Sequence, residues 1–149
     1  MLTDRPRTAL ATSARLVRSR PSAASSRNLA LGIGTSRCAV GVTFLGAPGF
    51  SLRMLGIDRA TAGRMEWLAR MTAGRDLALG VGTVVGAVTG RGVRGWLFAG
   101  AACDLLDAVV IAAGVAQGRL SPIPAGASVA GAAGAAAAAG YLVARAPLD

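Results

Sequence analysis

The sequence lacks histidine and lysine altogether, and all sixteen of its basic residues are arginine. These absences exclude several kinds of site. A P-loop and Schiff-base chemistry each require a lysine, and a Ser-His-Asp or Cys-His site requires a histidine. Two cysteines cannot form an all-cysteine zinc site within one chain, and no histidine is present to replace the missing ligands. The sequence therefore predicts no catalytic residue, no metal site and no cofactor, and we do not expect an enzyme.

Charged residues are also scarce, at 15% of the 149 residues, whereas soluble domains average about 25%. Hydrophobic residues make up 53% of the chain and occur in long runs. Too little polar surface remains to cover a soluble globule of this size, and the runs are long enough to cross a bilayer. The composition therefore predicts a membrane protein with a single domain.

Four apolar stretches have the length of membrane-spanning helices. They comprise residues 29–46, 67–90, 95–116 and 125–144. The short link at residues 91–94 predicts that the second and third spans form a tight antiparallel hairpin. Pro122 and Pro124 are expected to keep residues 118–124 out of a helix. The predicted fold is all-α, a transmembrane four-helix bundle over residues 29–146.

Two of these spans carry small residues at four-residue spacing. The second span has Gly82, Gly86 and Gly90, and the fourth has Ala130, Gly134 and Ala138. Small residues at this spacing let helix backbones approach closely. We expect these faces to pack closely, within the bundle or against a second copy of the chain.

Two segments outside the spans are open to more than one interpretation. Residues 1–28 are rich in Arg, Ser, Ala and Thr, and we interpret them as a basic, disordered cytoplasmic tail held near anionic lipid. An organelle transit peptide of similar composition is the alternative. Residues 49–66 form the longest predicted loop, which is either an amphipathic segment at the membrane interface or an ordinary loop against the bundle.

The net charge of +9 does not by itself indicate a nucleic-acid partner. The arginines are spread over a tail, loops and apolar stretches, and no aromatic residues alternate with them. Proteins that bind nucleic acid concentrate basic residues on one surface. We therefore expect no nucleic acid, and we attribute the arginines to the flanks of membrane spans. The expected partners are the lipid bilayer and either a second copy of the chain or another membrane subunit.

Five charged residues interrupt the apolar stretches near mid-bilayer depth. They are Arg37, Arg75, Asp76, Asp104 and Asp107. Charges cost several kcal/mol in hydrocarbon unless they face a protein interior and find partners, so the sequence predicts a buried cluster. With a rise of about 1.5 Å per residue, Arg37 and Asp104 lie roughly 13 Å from the inner boundary, and Arg75 and Asp107 lie about 18 Å from it. These depths predict the pairs Arg37–Asp104 and Arg75–Asp107, with Asp76 close to one of the arginines.

Arg70, one turn from the outer end of the second span, is a sixth candidate for this cluster. Its side chain either completes the charge balance or extends to the outer boundary. In the second case one carboxylate is in excess, and a surplus buried carboxylate could hold a proton. A fixed ion-pair network would indicate a structural or accessory membrane subunit. A proton-coupled or ligand-binding site would indicate a small transporter that acts as an oligomer.

Cys38 and Cys103 lie inside predicted spans at similar estimated depths. Each is next to a charged residue of the candidate cluster. We expect free thiols, because a buried apolar cysteine is the commoner state.

Two segments, ARMTAGRDLALGVG and GWLFAGAACDLLDAVVIA, resemble a family of small bacterial four-helix membrane proteins known as a domain of unknown function. In that family an Arg-Asp pair followed by Leu-x-x-Gly opens the second span, here Arg75, Asp76, Leu77 and Gly80. The third span of the family carries aspartates, and the stretch from Pro48 to Ile57 resembles its first loop. The family is similar in architecture to DoxX-like proteins, some of which are redox accessory subunits. The resemblance implies a four-helix fold over residues 29 to about 144 and no particular activity.

The arginines also indicate an orientation. With the N-terminus inside, nine arginines flank the inner side: Arg5, Arg7, Arg15, Arg18, Arg20, Arg27, Arg91, Arg94 and Arg145. Four flank the outer side: Arg53, Arg59, Arg64 and Arg119. Because basic loops stay in the cytoplasm, we expect a multi-pass protein of the plasma membrane with both termini cytoplasmic.

Overall fold

The computed structural model describes residues 22–145, and nearly all of these are helical. Five helices follow one another in this part of the chain: α1 (Ala23–Gly46), α2 (Pro48–Met54), α3 (Arg59–Thr89), α4 (Val93–Ala116) and α5 (Pro122–Arg145). Residues 22–145 contain no strand, so the all-α prediction is confirmed. Most of the predicted basic tail, residues 1–21, lies outside the described residues.

Helix α1 begins before the apolar run that predicted it. It starts at Ala23, whereas the hydrophobic pattern predicted a start at residue 29. The Ser22 side chain accepts a hydrogen bond from the Ser25 backbone N–H, at 3.1 Å. Such a cap satisfies a backbone donor that the first turn leaves without a partner. A polar cap, and not the onset of hydrophobicity, therefore determines where α1 begins.

Helix α3 is extended at its start in the same way. It begins at Arg59 and not at residue 67, because the Asp58 carboxylate accepts hydrogen bonds of 3.0 Å from the backbone N–H groups of Ala60 and Thr61. Hydrogen bonding to Thr61 lowers the pKa of Asp58 from its ordinary value. The Asp58 carboxylate consequently stays ionised at neutral pH, and its negative charge interacts favourably with the positive end of the helix dipole.

The remainder of the predicted loop at residues 49–66 contains the short helix α2. Its Ser51 and Leu52 are buried, while Phe50 and Met54 are exposed. Leu52 contributes to a small apolar core with two alanines of α3. The segment is thus a short helix that packs on α3.

The prediction that Pro122 and Pro124 block a helix is wrong. Both prolines lie in the first turn of α5. The N–H groups of a first turn have no intrahelical acceptor, so proline removes no hydrogen bond there. Gly118, with φ of +68°, lies in the turn between α4 and α5.

The helices associate as two close pairs, α1 with α3 and α4 with α5. A tight turn connects α3 to α4, in which Gly90 and Gly92 adopt positive φ angles of 68° and 69°. The sequence analysis had placed Gly90 on a packing face with Gly82 and Gly86. That prediction is wrong, because Gly90 ends α3. Gly82 and Gly86 do lie on such a face: a Cβ on Gly82 would overlap the Trp96 ring, and one on Gly86 would lie 2.9 Å from the Val93 Cα.

The contact between α1 and α3 is made through backbone atoms. A Cβ on Gly34 would lie 2.9 Å from the Gly80 carbonyl oxygen, and a Cβ on Gly80 would lie 2.8 Å from that of Gly34. One turn further along α1, the Cys38 sulfur fills the space next to Gly80, where a Cβ would be 2.7 Å from it. Close approach of small residues is typical of helix pairs in membranes, where solvent does not drive apolar surfaces together.

The distribution of side chains in α4 is the reverse of that in a soluble helix. Phe98, Leu106 and Val110 are exposed, whereas Gly100 and Asp104 are buried. An apolar core, which includes residues of α1, α3, α4 and α5, occupies only the end of the bundle at which α1 begins. On α5, a Cβ on Gly134 would meet no atom within 4 Å. The predicted small-residue face of α5 is therefore open and makes no close helix contact at this position.

Three helices in residues 22–145 are long and apolar enough to cross a membrane. They are Ala23–Gly46, Val93–Ala116 and Pro124–Arg145. At 24 residues, the first two extend over roughly 36 Å, which exceeds a hydrocarbon core of about 30 Å. Helix α3 is long enough but is less apolar, because Arg75 and Asp76 interrupt its hydrophobic half.

We predict that Gly34→Ala destabilises the protein. The added methyl would lie 2.8 Å from Val84 Cγ2 and 2.9 Å from the Gly80 carbonyl oxygen, so α1 and α3 must separate at a cost of about 1–3 kcal/mol. Gly32→Ala is the matched control, because a Cβ there meets nothing within 4 Å. Thermal unfolding in detergent measures both. Equal stabilities of the two variants would contradict this account of the interface.

Candidate functional site

Five charged side chains meet where α1, α3 and α4 come together. They are Arg37 from α1, Arg75 and Asp76 from α3, and Asp104 and Asp107 from α4. We call them the charge network. They form a continuous series in the order Asp104, Arg37, Asp76, Arg75, Asp107, in which positive and negative groups alternate.

Arg37 bridges all three helices. Its Nη1 donates to Asp76 Oδ1 of α3 at 3.0 Å. Its Nη2 donates to Asp104 Oδ2 of α4 and, at 3.1 Å, to the Gly100 carbonyl oxygen one turn earlier. A planar guanidinium with several donors can make these contacts together, which a lysine ammonium could not reproduce with the same geometry.

Arg75 and Asp76 are neighbours in sequence but point to different partners. Consecutive helical residues are about 100° apart around the axis, so Asp76 reaches α1 while Arg75 reaches α4. Arg75 donates from Nη1 and Nη2 to Asp107 Oδ1 and Oδ2, at 3.2 Å and 2.6 Å. Its Nη2 is also 3.8 Å from Asp76 Oδ1, so Asp76 links the two arginines.

The two ends of the charge network are buried to different extents. Arg37, Asp104 and Asp76 expose 10%, 11% and 15% of their side-chain surfaces. Arg75 and Asp107 expose 34% and 39%. The Nε atom of Arg75 is buried and has no hydrogen-bond partner among the described residues. The Arg37 end is therefore closed, whereas the Arg75 end is partly open.

The structure forms both ion pairs that the helix depths predicted. Arg37 contacts Asp104, Arg75 contacts Asp107, and Asp76 is close to both arginines. Both cysteines are free thiols, as expected. These predictions followed from a fixed rise per residue and from the cost of an unpaired charge in hydrocarbon.

Arg70, the sixth candidate, is not part of the cluster, and of the two positions considered for it the structure shows the one directed away from the other charges. Its side chain is 54% exposed and lies 3.7 Å from Glu66, one turn earlier on the same helix. A long side chain near a helix end can reach a polar boundary, and the local partner favours that direction. Without Arg70, the charge network contains two guanidinium groups and three carboxylates.

Gly100 is a member of the site that the sequence analysis missed. A Cβ at this position would lie 3.1 Å from Nη2 of Arg37 and 3.3 Å from its Cζ. The absence of a side chain gives the guanidinium access to the backbone carbonyl. The available signal was spacing, since Gly100 precedes Asp104 by one turn and so lies on the same face of α4.

The chemistry of this arrangement is electrostatic. Each carboxylate is paired with arginine, and no group of three or more acidic or thiol side chains in residues 22–145 is placed to hold a metal ion. Comparison of the chain with protein-family models, with curated proteins and with solved structures finds no match. What the charge network does must therefore be argued from its geometry.

We predict that Arg75→Ala and Asp107→Ala each destabilise the protein and that the double variant loses less than the sum. Each single change leaves the partner without its ion pair, while the double change leaves neither stranded. In a fully buried pair the single loss is about 3–5 kcal/mol, and the partial exposure of this pair reduces it. Thermal unfolding in detergent gives the three values.

Arg70→Ala is the control on the same helix. It removes only an exposed ion pair, so its effect should stay within about 0.5 kcal/mol. The exchanged pair, Arg75→Asp with Asp107→Arg, should be more stable than either half. Strictly additive losses would show that the two side chains do not stabilise each other.

Proposed function

We propose that the chain is a multi-pass integral membrane protein of four spans, in which the charge network is a structural device and the protein acts as an accessory subunit. The observation that carries the proposal is the pairing of all three carboxylates in the network with arginine. A paired network holds helices in register, whereas a transport site needs groups that are free to change partners.

The distribution of polarity supports a membrane location. Large apolar side chains of α4 lie on the surface, and the charges lie between helices. In water this arrangement would expose apolar surface and desolvate ions at the same time. In a bilayer the same side chains face hydrocarbon, and the ions are shielded from it.

The charge network also supports α3 as the fourth span. Residues 67–89 of α3 are uncharged apart from Arg70, Arg75 and Asp76. Arg75 and Asp76 are paired, so their cost within the bilayer is reduced, and Arg70 is near one end. Four spans and the excess of arginine on one side favour termini in the cytoplasm, and we propose the plasma membrane as the location.

An accessory role fits the surface of α5 and the resemblance of the sequence. The small-residue face around Gly134 is open and would admit a helix of another subunit or of a second copy. The resemblance to a four-helix family of DoxX-like architecture, some of whose members are redox accessory subunits, agrees with such a role.

Labelling of single cysteines tests the four-span arrangement, in a chain in which Cys38 and Cys103 are replaced. If α3 spans the membrane, cysteines at Ser25 and Ala144 react from the same side and a cysteine at Ala60 reacts from the opposite side. We expect only the cysteine at Ala60 to react with an impermeant reagent added to intact cells. Labelling of Ser25 and Ala144 from opposite sides would show three spans and contradict the proposal.

A small proton-linked transporter or ligand-binding protein is the second candidate function. Two observations support this candidate. The charge network has three carboxylates for two arginines, so one carboxylate is in excess, and Arg75 and Asp107 are partly exposed. A surplus carboxylate in a low-dielectric site can hold a proton. The candidate requires an oligomer, because one four-helix chain is small for a transport path.

Proteoliposomes with an imposed pH gradient separate these two functions. The structural proposal predicts that proton entry matches that of protein-free liposomes and is unaffected by Asp107→Asn. Entry above that level, abolished by Asp107→Asn and retained in Arg70→Gln, would favour the transporter. A pH-sensitive dye trapped inside the vesicles provides the measurement.

A further inference from the structure

A second charged region lies between α2 and α3, away from the charge network. A cleft of about 420 Å³ opens there, and its lining includes Arg53 of α2 and Arg59, Gly63, Glu66 and Arg70 of α3. The α3 residues recur at intervals of four, three and four, so they lie along one face of the helix. The cleft has the volume of a small ligand site.

The positive charges of this cleft are not balanced by its own acid. Glu66 is the single carboxylate in the lining, and it lies 3.7 Å from Arg70. Arg53 donates from Nε to the Gly49 carbonyl oxygen within its own helix, at 3.2 Å. The Arg59 side chain makes no hydrogen bond or ion pair with any residue in 22–145. Two guanidinium groups are therefore available to an anion.

The walls of the cleft combine these charges with apolar surface. Ala47, Pro48 and Phe50 line the side at the start of α2, and the Phe50 side chain is exposed. Trp67 of α3, next to Glu66, is exposed as well. Exposed aromatic residues beside arginines are typical of the level at which lipid headgroups meet the hydrocarbon.

We propose that this cleft binds a phosphate-bearing anion through Arg53 and Arg59. A guanidinium presents paired N–H donors that match two oxygens of a phosphate group. Two arginines from different helices can thus hold one phosphate from two directions. The group is either the phosphodiester of an anionic lipid or a free phosphate. The lipid source rests on the proposed membrane location, whereas the free phosphate does not.

Binding is tested on the purified full chain in a nonionic detergent. The probes are phosphatidylglycerol, phosphatidylcholine with the same acyl chains, and inorganic phosphate. Native mass spectrometry counts retained lipid, and the rise in melting temperature with ligand concentration gives the affinity, since a ligand that binds only the folded state stabilises it. Arg59→Gln and Arg53→Gln should each weaken binding about ten-fold, the loss expected for one charge-assisted hydrogen bond.

Arg64→Gln is the matched control for charge. Arg64 is exposed on the same helix, donates to the Thr61 hydroxyl at 3.2 Å and does not line the cleft. Arg64→Gln removes the same charge as Arg59→Gln but leaves the cleft intact. The Arg64→Gln variant should therefore bind as tightly as the unaltered chain. Equal weakening by Arg64→Gln would show a general attraction of anions to a basic protein and would overturn the proposal.

A second pair of variants tests the cleft by volume and leaves every charge in place. A Cβ on Gly63 meets no atom within 4 Å, and neither does one on Gly74, three turns further along α3 and outside the cleft. Gly63→Leu should fill the cleft and abolish binding, while Gly74→Leu should retain it. Circular dichroism verifies that both variants are folded.

The outcomes separate the two sources of phosphate. Retention of phosphatidylglycerol, lost in Gly63→Leu and unaffected by inorganic phosphate, assigns a lipid. Stabilisation by inorganic phosphate with the same dependence on Arg59 assigns a free phosphate. Binding that Gly63→Leu leaves unchanged, or no binding of any probe, would overturn the proposal. None of these results depends on how many helices cross the membrane.

Discussion

The contacts of Arg37 are the interaction on which the arrangement of α1, α3 and α4 depends. One guanidinium joins Asp76, Asp104 and the Gly100 carbonyl oxygen. Helix pairs α1–α3 and α4–α5 pack closely within themselves, but the charge network and the apolar core at one end connect the pairs. If α4 slid along its axis, Asp104 would separate from Arg37. The buried Asp104 carboxylate would then lack a partner, and the free energy of the protein would rise. The charge network therefore selects one register among many that small residues alone would permit.

The small residues and the charges serve different purposes. Gly34 and Gly80 bring two backbones together and contribute contact area without direction. Ion pairs add direction, since each requires a particular depth and a particular face. Arg75 and Asp107 form a second directional ion pair between α3 and α4, and both side chains are partly exposed. The closed end of the charge network suits a structural role, and the more open pair suits a transport role. Because every carboxylate in the network is paired with arginine, we favour the structural role.

The fold class and the ion pairs could be predicted from the sequence because strong physical constraints act on them. Apolar runs of bilayer length must be helical, and charges within them must meet partners at equal depth. Weaker, local effects determined what the sequence analysis missed or left open. A serine cap extended α1, first-turn prolines were tolerated in α5, and the position of Arg70 depended on a single neighbour, Glu66. With 21 glycines in the chain, spacing alone could not identify Gly34 and Gly80 as the ones in contact.

The coupling free energy between Arg37 and Asp104 tests the central claim most directly. A double-mutant cycle with Arg37→Ala and Asp104→Ala, followed by thermal unfolding in detergent, isolates their interaction from the separate cost of each change. If the charge network fixes the register of α4, the coupling should lie towards the upper end of the range of about 0.5–3 kcal/mol seen for residues in contact. It should also exceed the coupling of the more exposed pair, Arg75 and Asp107. A coupling near zero at Arg37 and Asp104 would contradict the account, because the register of α4 would then be set by the small residues and the apolar core and not by this ion pair.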